Sequence, residues 1–385
     1  MASEDIAPFR IEIAAGDLAE LRVRLGNARW PDNPPTDAPW SAGVDAAYLR
    51  ELVDYWSADY DWRLWEAQLN ELGQFVTHVD TARIHFLHVR SPRVDAIPLL
   101  LAHGWPGSVV EFLKVVDPLV HPAAHGANAD DAFHIVCPSM PGYGFSGPTP
   151  GSGWGVARIA AAYATLMSRL GYSRYGIHGG DWGSRVCRDL ALNEPEAVAG
   201  MHVTMLPSEP DPAADDPANL SAEEQRRMQA RRRFREGQSG YLAIQSTRPD
   251  TLSYALTDSP VGQLAWILDL FQQFCDVKLV PDEAIDRDQL LTNVMLYWLT
   301  RTAGSSARLY LETARAGNWG SSARVEVPTG VAVFPREIAP PIRRFAERNH
   351  NIVHWSEFDS GGHFAAMERP ALLAADIQAF FRRFR

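Results

Sequence analysis

The chain has 385 residues, 46% of them hydrophobic and 12 of them tryptophan, enough to bury a large core as one big domain with additions or as two domains. A formal net charge of −11 at pH 7 argues against nucleic acid or an anionic membrane as the main partner. Cys137, Cys187 and Cys275 lie far apart without CxxC spacing, which points away from a disulfide framework or zinc site and toward a reducing, cytoplasmic setting. No stretch approaches the ~20 apolar residues that span a bilayer. The opening "MASEDIAPFRIEIAAGD" carries acids and reads as neither signal peptide nor anchor.

The first 70 or so positions read as helices and loops. "GDLAELRVRL" predicts a helix with Asp17 as its N-cap, ended by the Pro-rich connector "RWPDNPPTDAPW". A pair of aromatic-rich helices follows. From about Phe75 the period changes: "FVTHV" and "RIHFLHVR", separated by "DTA", alternate like a hairpin. Short apolar runs then recur, each followed by a helical pattern: "IPLLLAHG", "FHIVCPSMPG", "YGIHGG" and "VAGMHVTML". Such runs indicate a mostly parallel sheet covered on both faces.

From about Pro207 that rhythm gives way to helices. "SAEEQRRMQARRRFREG" opens with a Ser221–Glu224 capping box, and its basic block Arg226–Arg235 reads as the solvated face of a helix. "GVAVFP" and "NIVHWSEF" restore the strand signal, and "ALLAADIQAFFRRF" closes the chain as a helix. The division expected is 1–72 as an N-terminal meander, 73–206 and 304–385 as two parts of an α/β core, and 207–303 as a helical insertion. Catalytic loops belong at the carboxyl ends of the strands.

The stretch "YGIHGGDWGSRVC" carries the chemistry. Gly179, Gly180 and Gly183 surround Asp181 between a predicted strand and a predicted helix, the small-x-nucleophile-x-small pattern of a strained elbow. An Asp capping a helix after a glycine loop would look the same. "LLLAHGWPGS" supplies a second feature, since an oxyanion hole takes one amide from the residue after the nucleophile and another from such an early loop. Those amides are Trp182 and Trp105, with His103 as a residue that holds the loop. "SGGHFAAMERP" places His363 on a late Gly-rich loop suited to a general base. Glu337, just past "VFP", is the acid that orients it, preferred to Asp359, which is close in sequence to His363. The order Asp181, Glu337, His363 is nucleophile, acid, base.

Taken together, "HGWPGS", "PGYGFSGP", "GGDWGS", "LLTNVMLYW", "VPTGVAVFP" and "GGHFAAMERP", in that order along nearly the whole chain, resemble the epoxide hydrolases of the α/β-hydrolase fold, in their microsomal-type branch. "PFRIEIAAGDLAELRVRL" and "RWPD" resemble that branch's N-terminal meander, which wraps the lid. The resemblance implies a soluble bacterial-type member, since the chain begins almost at the meander. It also implies two lid tyrosines that hold the epoxide oxygen, Tyr241 in "SGYLAIQSTRP" and Tyr310 in "SSARLYLET". The residues alone would make both core aromatics of the insertion.

The chemistry so implied uses a small-molecule epoxide and water, with no metal and no organic cofactor. A carboxylate suits backside attack on an sp3 carbon because it needs no deprotonation at neutral pH. Trp105, Trp182, Trp266 and Trp298 suggest an aromatic-lined pocket, though each fits the core equally well, in an enzyme of detoxification or natural-product chemistry for which a homodimer is an open option. Two other readings share the motifs: a haloalkane dehalogenase-like hydrolase, with the Trp182 indole as halide ligand, and a non-catalytic ligand-binding protein on the same scaffold.

Overall fold

A computed structural model describes residues 5–32, 38–206, 208–211, 215, 219–317 and 323–385. Part of the Pro-rich connector, the first residue of the expected insertion (Pro207) and the first four residues of the chain lie outside them. Among the described residues nine strands form one sheet in the order β1 (Ala7–Pro8), β2 (Gln74–Val79), β3 (Ala82–Val89), β5 (Phe133–Pro138), β4 (Ile97–Ala102), β6 (Tyr175–Gly179), β7 (Val198–Val203), β8 (Val325–Val333) and β9 (His350–Glu357). The six strands from β5 to β9 run parallel, and β1 to β3 extend one edge antiparallel. This is an α/β-hydrolase fold.

Opposite faces of β6 show how the sheet is covered. Gly176 and Gly179 are three residues apart and so point to opposite sides. Gly176 leaves room for Phe381 and Gly179 for the backbone of Gly183. Phe381 lies on the C-terminal helix Pro370–Phe381, which packs with Leu113–Val120, whereas Gly183 lies on Asp181–Asn193, which packs with Val156–Arg169. Continuous apolar strands such as β4, β5 and β7 follow from that double cover.

The β2–β3 hairpin turns on two residues rather than three. Asp80 and Thr81 both take positive φ, 48° and 69°, the mirror-image turn geometry that matches strand twist, and Ala82 already pairs with Val79. The first helix also differs from expectation. It runs Ala15–Gly26, so Asp17 sits in its first turn rather than capping it, where its charge still favours the helix dipole.

Between β7 and β8 the chain inserts helices Ala222–Arg233, Gly240–Thr247, Pro249–Asp258, Pro260–Phe274, Arg287–Thr300 and Ala303–Arg315. The capping box forms as the sequence predicts, with Ser221 and Glu224 each bonding the other's backbone. Its basic block, however, is only partly solvated. Arg227 and Arg231, one turn apart, are buried and donate to the carbonyls of Pro341 and Pro340, and Arg231 also bonds Ser208. A guanidinium is buried only where acceptors meet it, and a bare run of arginines does not reveal which positions face carbonyls. The N-terminal helices bind the insertion through phenols: Tyr48 donates to Asp282 and Tyr55 to Asp288, each at 2.6 Å. Among the described residues, no helix is long and apolar enough to cross a membrane and no His, Cys, Asp or Glu cluster could hold a metal ion.

Candidate active site

β6 ends at Gly179, and Asp181 opens the helix Asp181–Asn193 with φ +44°. A non-glycine residue in the left-handed region is strained, and such strain clusters at functional corners. The surrounding glycines explain how the corner closes. A Cβ on Gly183 would collide with the carbonyl of Ala102, and one on Gly104 with the Asp181 side chain. The carboxylate therefore projects beyond the carboxyl end of β6, beside the loop that follows β4, with the positive end of a helix beneath it.

That loop meets Asp181 directly. The Trp105 amide donates to Asp181 Oδ1 at 2.9 Å. Its carbonyls are pinned on the far side by the helix Arg287–Thr300: Asn293 donates to Pro106 O at 2.7 Å and Tyr297 to Gly107 O at 2.6 Å. Ser108 in turn donates to the Asn293 side-chain oxygen at 2.7 Å. Fixing the carbonyls on one side aims the amides to the other. His103 is buried, accepts the Met140 amide at its Nε2 and faces its own Gly104 carbonyl with Nδ1. Burial lowers its pKa to about 4, so it is a neutral strut for the loop.

Glu337 follows β8 and His363 follows β9, so both also reach the site from the carboxyl end of the sheet. His363 Nδ1 lies 2.8 Å from Glu337 Oε1, which also accepts the Ile338 amide at 2.7 Å. His363 Nε2 lies 3.6 Å from Asp181 Oδ2. Burial alone would push the imidazole pKa down, but Glu337 and then Asp181 outweigh it and hold the value well above the usual range. The His363 amide bonds Phe274 O at 3.0 Å, and a Cβ on Gly362 would strike that same carbonyl. Asp359 is exposed; Glu337 is the acid that reaches the imidazole.

Tyr241 and Tyr310 come from two inserted helices, and both rings turn inward over Asp181. Tyr241 stacks on Trp105 at 5.6 Å and 14°, Tyr310 stands edge-on to Trp182 at 4.7 Å, and the two phenols are edge-to-face at 6.0 Å. Burial raises both phenol pKa values, with the Asp181 charge acting in the same direction. The Tyr310 hydroxyl is buried without a hydrogen-bond partner among the described residues. A cavity of about 200 Å³ is lined by Asp181, Trp182, Met205, Tyr241, Tyr310 and Ile338, with Arg185, Arg231 and Arg235 also in its wall. Of the four tryptophans expected there only Trp182 lines it; Trp105 sits behind Tyr241, on which it stacks, and Trp266 and Trp298 lie elsewhere. The Trp266 indole donates to Gln245, and Trp298 lies in a separate surface groove beneath Arg24. Helical aromatics signal burial but not which side they face.

Comparison with known proteins settles the family. The family model described as "Epoxide hydrolase N terminus" matches residues 6–112, and that of the "alpha/beta hydrolase fold" matches 97–255. A Stigmatella aurantiaca protein named as an epoxide hydrolase is 47% identical over 99% of this chain and 86% of its own length. The chain belongs to the epoxide hydrolase family. It is thus an enzyme, a hydrolase acting on ether bonds. "Epoxide hydrolase 1" of Sus scrofa is 35% identical over 98% of this chain and 88% of its own. The fold agrees closely with two solved structures. The juvenile hormone epoxide hydrolase of the silkworm Bombyx mori superposes with a TM-score of 0.90 at 31% identity, covering 100% of this chain and 96% of that one. The Aspergillus niger epoxide hydrolase superposes with 0.87 at 32%, covering 100% and 98%.

Of the seven site residues expected from the sequence, Asp181, Trp182, Tyr241 and Tyr310 line the cavity, while Trp105 and His363 meet the Asp181 carboxylate and Glu337 meets His363. What the sequence reading missed in this epoxide hydrolase is the support behind them: Asn293 and Tyr297 bracing the loop, and Glu111 beneath it. "LLTNVMLYW" did hold a signal, since a lone Asn inside an apolar helical run must find partners when buried.

Proposed function

We propose that the enzyme opens an epoxide to a vicinal diol in two steps through an ester on Asp181. The observation that carries this is the division of labour between the two carboxylate oxygens. Oδ1 is occupied by the Trp105 amide, Oδ2 lies 3.6 Å from His363 Nε2, and Asp181 lines the cavity that both phenols line. Oδ2 attacks one ring carbon from behind; the carbon–oxygen bond breaks, and its electron pair goes to the departing oxygen. Tyr241 and Tyr310 hold that oxygen, and one of them gives up its proton, leaving an alcohol, a phenolate and the Asp181 ester. Water then attacks Cγ of Asp181 and passes one proton to His363, which Glu337 orients. The tetrahedral oxyanion rests on the Trp105 and Trp182 amides, each such donor worth on the order of 3 kcal/mol. Collapse breaks the ester bond, the leaving alkoxide takes the proton from His363, and the proton left on the Asp181 carboxyl restores the phenol.

A single turnover in water enriched in heavy oxygen, with enzyme in excess, tests the scheme. The diol should emerge unlabelled and the peptide containing Asp181 should carry the heavy atom. Label in the first diol, with none in the peptide, would mean that water attacks the ring directly. The phenols favour an oxygen leaving group over a halide, because a halide needs no proton, and an intact Asp181–His363–Glu337 set speaks against a binding protein without catalysis.

The inserted helices 207–303 serve as a lid over the core segments 73–206 and 304–385, held by the meander 1–72. Helix Ala303–Arg315, which falls in the core segment by that division, packs on the lid helices Gly240–Thr247 and Pro249–Asp258 and so belongs with the lid, bringing Tyr310 to it. The substrate is a small, largely apolar epoxide, met in the cytoplasm in detoxification or natural-product chemistry.

A further inference from the structure

Glu111 lies outside the residues used so far. It sits in a short turn, Val109–Phe112, that continues from the Trp105–Ser108 loop. On one side the turn packs against the helix Arg287–Thr300, and on the other against Ala365–Glu368, the segment directly after His363. The Glu111 side chain folds back beneath the loop, so closely that a Cβ on Gly107 would collide with its carboxyl. Gly107 thus makes room for a charged group in the interior.

The carboxyl has few ties there. Its Oε2 is buried with no hydrogen-bond partner among the described residues, although the residue as a whole keeps some accessible surface. Burial, opposed by His363 and reinforced by Asp181, raises its pKa to about 7, and the Gly104 backbone acts to lower it. Gly104 thus bears on Glu111, and the amide of its neighbour Trp105 holds Asp181 Oδ1. A buried carboxyl left without a full set of partners costs stability, and that cost marks groups kept for function.

We infer that Glu111 is the second acceptor for the hydrolytic water, holding it jointly with His363 over Cγ of the Asp181 ester. The inference rests on the two-step reading above. One O–H of the water points to His363 Nε2 and the other to the Glu111 carboxylate, which leaves an oxygen lone pair facing Cγ. As the new carbon–oxygen bond forms, the carbonyl electron pair moves to the oxygen held by Trp105 and the first proton moves to His363. Glu111 keeps the second proton's bond throughout and leaves the proton count of the step unchanged. It has no part in ring opening, which involves no water.

Single-turnover measurements on Glu111→Gln separate the steps by acid quench and intact mass. Ester formation should stay within about twofold of the parent, while ester hydrolysis slows by roughly 10- to 100-fold, as expected when a reactant loses its alignment, and ester accumulates. Glu111→Asp, with the charge withdrawn by one methylene, should fall between. The unfolding temperature of Glu111→Gln should equal or exceed the parent's. Hydrolysis at the parental rate, equal slowing of both steps, or loss of folding would each overturn the assignment, the last two by revealing a structural role. His363→Gln run alongside distinguishes the failures. No ester in that variant defeats the covalent scheme itself; ester there, with parental hydrolysis in Glu111→Gln, defeats only the role of Glu111.

Discussion

Replacing His363 with Gln should arrest the enzyme at the covalent stage. Ring opening needs only the carboxylate and the phenols, so ester still forms. Its hydrolysis loses the general base and slows by about 10²–10⁴-fold. Gln is the appropriate replacement because it can still donate to Glu337, which is buried and accepts from the imidazole at 2.8 Å. A residue unable to donate would leave that buried carboxylate with only the Ile338 and Ala339 amides, at a typical cost of about 1–3 kcal/mol for the lost partner. Intact-mass measurement after mixing with an epoxide turned over by the parent should show a gain of one substrate mass on the peptide containing Asp181. Absence of the adduct, or undiminished turnover, would remove the ester from the scheme.

Changing both Tyr241 and Tyr310 to Phe should have the complementary effect. Ring opening loses its proton donor and slows by about 10²–10⁴-fold, whereas hydrolysis of ester already formed proceeds normally. Each single variant keeps one phenol and should lose less. The packing predicts a second signature. The Tyr310 hydroxyl is buried without a partner among the described residues, so its removal relieves an unmet desolvation cost, and Tyr310→Phe should unfold at or above the parental temperature. Activity lost while stability is kept is the behaviour of a group held for chemistry. Ester formation near the parental rate in the double variant, or a collapse of its folding, would return both phenols to the role of core aromatics.

How much of this was legible beforehand depends on whether a residue's role is fixed locally. Asp181 announces itself because the elbow needs glycines at fixed offsets, and each meets a neighbour that tolerates no Cβ. The parallel sheet is equally plain, since double burial leaves continuous apolar strands. Tyr241 and Tyr310 are legible only through family resemblance. Nothing in a helical period tells an aromatic facing a cavity from one facing a core, as Trp266 and Trp298 demonstrate. Arg227 and Arg231 look like solvated charges until Pro340 and Pro341, more than a hundred residues later, bring carbonyls to them. Glu111 in "SVVEFLK" passes for an exposed helical acid, because the room it occupies is left by Gly107 and its charged neighbours lie past β6 and past β9.

The placing of one imidazole between two acids also sets a clock. In the resting enzyme Glu337 and Asp181 together keep His363 protonated to unusually high pH, and a protonated imidazole cannot activate water. Esterification erases the Asp181 charge and with it part of that hold, so the imidazole surrenders its proton to solvent only after the substrate is attached, and regains one from solvent when the carboxylate returns. Water is therefore switched on by the intermediate it is meant to cleave. Following the His363 ring by NMR across a pH series should give a lower midpoint for the esterified enzyme than for the resting one; coincident midpoints would mean that the order of events is kept by other means.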